Sequence, residues 1–124
     1  MVEMAIIMPI LALILFAVIE WGIAFQRWQV LAAASREGAR VASLAGCDPG
    51  TAEAQVEAIV NQFVAAAGIE AGEVTVSTDN ACGDTGTNAT VRVDYAFQFP
   101  VLSNMIPAFA DGLALQGASV MRNE

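Results

Sequence analysis

The chain has 124 residues and a formal charge of −8, set by thirteen Asp and Glu against five basic residues, with no histidine. Hydrophobic residues make up 56% and charged ones 15%, which is too apolar for an ordinary small soluble domain. One compact domain plus one elongated element is the upper limit. The composition argues against a disordered, collagen-like or nucleic-acid-binding chain, and the missing imidazole removes the usual general base and the commonest metal ligand.

In chain order, the first element is an apolar helix. No charge occurs from Met4 to Ile19, and after Glu20 the apolar character resumes from Trp21 to Phe25. A helix over 4–25 is about 33 Å long at ~1.5 Å per residue, enough to cross a hydrocarbon core of ~30 Å. A cleavable signal peptide has a shorter apolar region after a basic one, whereas the first basic residue here is Arg27. A bitopic anchor stays open, as does a leader removed before Met1. Gln26 to Ala45 lacks Pro and is rich in Ala and Arg, so helix propagates, giving one helix over 2–45. Pro9 predicts a kink or local opening near 5–9. Ala34, Gly38, Ala42 and Gly46 recur at intervals of four, a smooth face that packs either on a neighbouring helix or on the chain's own head. Trp21, Phe25 and Trp28 read as an interfacial belt or packing residues before they read as a ligand-stacking set. Met1, Met4 and Met8 form a row suited to adaptable packing.

Gly46-Cys47-Asp48-Pro49-Gly50 breaks the pattern. Asp48 can cap a second helix with Pro49 at its first position, or Thr51 can cap a later start. Val56, Ile59, Val60, Phe63, Val64 and Ala67 form its predicted apolar stripe, and Gly68 its stop. Three strands follow. The first is Glu73 to Thr78. The second is Ala89 to Phe99, with Val91, Val93, Tyr95, Phe97 and Phe99 on one face. The third is Leu113 to Met121. Asp79 to Asn88 is turn chemistry, and Pro100 to Asp111 reads as an apolar loop, either a contact between subunits or a lid on the chain's own core. The expected fold is α+β: an N-terminal hydrophobic helix over 1–46 and a head over 47–124 made of one helix and a three-stranded antiparallel sheet. Charge divides the same way. Residues 1–46 sum to zero, and residues 47–124 hold ten acids against Arg92 and Arg122.

Cys47 and Cys82 match no zinc or redox spacing. A disulfide between them, implying an oxidising compartment, is preferred over two free thiols. Asp79, Asn80 and Asp84 offer oxygens to calcium but lack EF-hand spacing. Asn88-Ala89-Thr90 is a glycosylation sequon at the start of a strand. No nucleophile and base can be assembled, so neither enzyme activity nor a cofactor or metal is expected.

Glu3 and Glu20 interrupt an apolar helix, and a carboxylate in hydrocarbon costs several kcal/mol unless paired or protonated. Both acids can lie at headgroup level, Glu20 near Arg27. Alternatively, helices from several copies bundle, and the acids meet cations of neighbours.

Val2, Glu3, Ala5, Pro9, Ile19, Glu20, Trp21 and Gly22, followed by Ala34, Arg36, Glu37, Gly38, Ala39 and Arg40, carry a pattern that resembles the TadE-like pseudopilins of tight-adherence (Tad) pili, relatives of type IV pilins. The closing residues 118–124 are also similar. The resemblance implies a prepilin cut by a prepilin peptidase, held in the inner membrane before assembly and handled by pilus assembly machinery. Glu3 would pair with a neighbour's amino group or aid docking. The expected function is a structural subunit of an adhesive surface filament, a homo-oligomer built by packing of N-terminal helices. The alternatives are a minor pseudopilin of the assembly apparatus or a membrane-anchored binding domain.

Overall fold

The computed structural model describes residues 2–44 and 47–124, with side chains from Met4 onward. Helix α1 spans Val2–Ala42, α2 Pro49–Ala66 and a short α3 Leu102–Met105; strands β1 (Val74–Asp79), β2 (Asn88–Phe97) and β3 (Leu113–Arg122) form one antiparallel sheet in the order β1-β2-β3. β1 pairs with β2 from Val74 opposite Tyr95 to Asp79 opposite Thr90. The expected α+β layout is the observed one.

By contacts the chain divides into two units. One comprises residues 1–26 with 97–113, the other 27–96 with 114–124. The lower part of α1 is grouped with the segment between β2 and β3, and its upper part with α2 and the sheet.

In the second unit, small residues let the backbone elements approach closely. Ala34, Gly38, Ala39 and Ala42 of α1 are buried. A Cβ on Gly38 would press against Val56 and Val60 of α2 and Val91 of β2. The small-residue face therefore meets the chain's own helix and sheet at Gly38, while Gly46 lies outside the described residues. Asp48 caps α2 by accepting the Gly50 N–H, with Pro49 at the first position, as the residue types dictate. Gly68, at φ +75°, follows the end of α2, in the left-handed region that glycine enters freely.

Four expectations change in detail. The buried line of α2 is Ala52, Val56, Val60 and Val64, so Ile59 is only half-buried and Phe63 is 43% exposed. The stripe is thus rotated toward the side where small side chains permit close approach. β2 stops at Phe97 rather than Phe99. The apolar loop contains α3 and a 3₁₀ turn, Pro107–Phe109. Finally, α1 stays helical through Pro9, with no opening into a non-helical stretch there.

The end of α1 is tied into the second unit. Helix C-termini leave carbonyls without intrahelical donors. Here Ala42 accepts from the Cys82 N–H at 2.8 Å, and Ser43 accepts from the Glu124 N–H at 3.2 Å. Asn123 is buried, and its side-chain amide donates to the Asn80 carbonyl and Thr87 Oγ1. The chain's last residues thus pin the 80–87 turn.

Candidate functional site

Two features of the 1–26 and 97–113 unit stand out: an uncovered apolar helix and a buried acid. Met4, Ile6, Ile7, Met8, Ile10, Leu11, Ile14, Leu15, Val18 and Ile19 are all exposed. α1 is the one helix among the described residues that is long and apolar enough to cross a membrane. Fully burying a side chain of this size is worth ~1.5–3 kcal/mol relative to leaving it in water. A row of ten in water is therefore a large unmet driving force, satisfied by lipid or by other apolar helices.

Glu20 ends that run and is only 4% exposed. Its Oε1 accepts the Val101 N–H at 2.6 Å, and its Oε2 accepts the Leu102 N–H at 3.2 Å. Pro100 has no N–H, so these are the first two amides after the chain leaves β2 and Phe99. Hydrogen bonds to a charged group are stronger than neutral ones, and this pair fastens the 97–113 segment to α1. Apolar packing reinforces it. Trp21 lies 5.7 Å from Phe99 between ring centroids, and Phe99 meets Phe97 edge-on at 5.1 Å and Phe109 at 5.3 Å. Phe99 and Leu102 are fully buried. The 97–113 segment is thus packed on its own chain at Phe99 and Leu102, while Met105 is exposed.

Arg27 Nη1 donates to the Ala67 carbonyl at 3.1 Å, at the end of α2. Helical neighbours lie three and four residues apart, and at those positions Glu20 has Phe16, Ala17, Ile23 and Ala24, none of them charged. Glu3, the other acid, has its side chain outside the described residues. Arg40 pairs with Glu37 at 3.8 Å on the exposed surface of α1, a contact of ~0–1 kcal/mol.

Cys47 and Cys82 form a disulfide with Cα atoms 5.6 Å apart. It holds the start of α2 to the turn that caps α1. In the chain-entropy account a loop of 35 residues gives about 3–4 kcal/mol. Cys82→Ser is expected to lose that much in chemical denaturation, and reductant is expected to lower the melting temperature of the native protein but not of the variant. In the turn between β1 and β2 the Asn80 amide nitrogen and the Thr87 hydroxyl bond within the turn. Asn80 Nδ2 donates to Thr87 Oγ1 and to the Asn88 carbonyl, and Thr87 Oγ1 donates to the Asp84 carbonyl at 2.6 Å. No cluster of three metal-binding side chains is found among the described residues.

No curated protein and no solved structure matches the chain. The family described as TadE-like protein matches residues 1–40. That match covers the apolar run, Glu20 and the Arg36-Glu37-Gly38-Ala39-Arg40 stretch on which the resemblance rests. The likeness to TadE-like proteins thus extends over the first third of the chain.

Proposed function

We propose that this chain is a structural subunit of a Tad-like, type IV pilin-related filament. It is held in a membrane by α1 before assembly and joined to other copies by the packing of their apolar helices afterwards. The observation that carries the proposal is the uncovered run from Met4 to Ile19. Glu20, which closes the run, is already satisfied within the subunit, so α1 offers a neighbour apolar surface without an exposed acid at that level. The disulfide suits a head standing outside the cytoplasm, and Glu3 is the acid left to set the register between subunits.

A minor-pseudopilin role in the assembly apparatus is the second reading, favoured by the TadE-like match itself. Electron microscopy of sheared surface material, with the chain labelled by antibody, separates the two. Labelling along the whole fibre is expected for the filament subunit. Labelling confined to a tip or base supports the minor role. Material that stays in the membrane under all native conditions defeats both.

A further inference from the structure

We propose that the segment 97–113 rests in the interfacial region of the bilayer while the subunit is membrane-inserted, so that the partner of its exposed apolar surface is lipid. The inference depends on the membrane-inserted stage of the reading above, and three observations carry it.

The first is depth. About 20 helical residues span a hydrocarbon core of ~30 Å, so a span that starts at Met4 reaches the opposite boundary near Ile23. Glu20 and Trp21 sit within one turn of that boundary, and the segment is fastened to these two residues through the Val101 and Leu102 amides and the Phe99 ring.

The second is surface chemistry. The segment holds one of the head's ten acids, the exposed Asp111 near its end, and Tyr95 to Ala110 contains no charged residue. Pro100, Met105, Pro107, Ala108 and Ala110 are exposed, Met105 at 58%. A negatively charged membrane surface repels the acids elsewhere in the head but not this stretch.

The third is the backbone. Polar groups near hydrocarbon must be satisfied without water, and this segment bonds largely to itself. The Ser103 N–H and Oγ donate to the Phe99 carbonyl, and Asn104 Nδ2 to the Pro100 carbonyl. The Met105, Ile106, Phe109 and Gly112 amides donate to the carbonyls of Val101, Leu102, Ile106 and Phe109. The two amides at the start of α3 go to Glu20.

The test uses the full chain with its disulfide intact, carrying an environment-sensitive fluorophore at Met105→Cys, in vesicles of phosphatidylcholine and phosphatidylglycerol. Phe16→Cys reports insertion of α1, and Asp84→Cys reports water. With α1 inserted, the probe at 105 is expected to emit to the blue of the probe at 84 and to lose most of its emission to lipids brominated near the headgroup. If the probe at 16 is quenched by deeply brominated lipid while the probe at 105 emits like the probe at 84, this proposal falls and the filament reading stands. If the probe at 16 is not quenched, both fall. If shielding at 105 develops only in assembled fibres, the surface belongs to a neighbouring subunit and the proposal is overturned.

Discussion

Glu20→Ala is expected to destabilise the protein by about 2–6 kcal/mol. The substitution leaves the Val101 and Leu102 amides without their acceptors, and a buried donor left unsatisfied costs ~1–3 kcal/mol. Removing the carboxylate also leaves a gap beside the backbone of Leu102, whose side chain is fully buried. Glu20→Gln is expected to fall between the parent and the alanine variant, because its carbonyl accepts from one amide while its NH₂ faces the other. Denaturation measured in detergent gives the size of the loss. Hydrogen exchange locates it: the amides of Val101 and Leu102 should lose protection first, since local opening is cheapest where the tether has gone. Unchanged exchange at those two amides in Glu20→Ala means that Glu20 does not hold the segment. For function, a freed segment and an uncovered apolar cluster beside Trp21 give the assembling surface a second, competing shape, so fewer filaments are expected even from protein that folds.

This acid also marks the boundary of what the sequence discloses. The α1, α2 and sheet elements follow from local chemistry: an uncharged apolar run, an Asp-Pro start, a Gly stop and alternation from Ala89 onward. The disulfide follows from two cysteines that match no metal or redox spacing. Glu20 is conspicuous by itself, as an acid closing an apolar run, but its partners are not. They are backbone amides 81 and 82 positions away, and an amide carries no sequence signature. The face of α2 departs from its pattern at Phe63 for a related reason. Periodicity locates an apolar arc, but which line within it is buried depends on what lies opposite, here Gly38 and its small neighbours on α1. The apolar character of 100–111 is plain in the residues, whereas its α3 and 3₁₀ turns depend on an acid from another element and on the burial of Leu102.

The second large effect is expected at Gly117. It lies in β3 and is buried, and a Cβ there would overlap the carbonyl group of Leu31 and crowd the amide nitrogen of Ala32. Glycine in a strand interior often marks such a close backbone approach. Overpacked side chains usually relax by changing rotamer, which limits the penalty to ~1–3 kcal/mol. Neither partner has that freedom here, because both contacting groups on α1 are main chain. Gly117→Val is therefore expected to cost more than ~3 kcal/mol, a large share of the ~5–15 kcal/mol that holds a domain together. Gly72→Ala is the control, since no atom lies within 4 Å of the place its methyl group would take, and its melting curve should stay with the parent's. Thermal unfolding followed by circular dichroism decides the matter. A Gly117→Val melting temperature within a few degrees of the parent's is incompatible with so close a contact between β3 and α1. The Met4–Ile23 span is untouched by the change. The variant is therefore expected to enter the membrane normally and then fail as a subunit, because the sheet is no longer seated on the helix that would carry it into a filament.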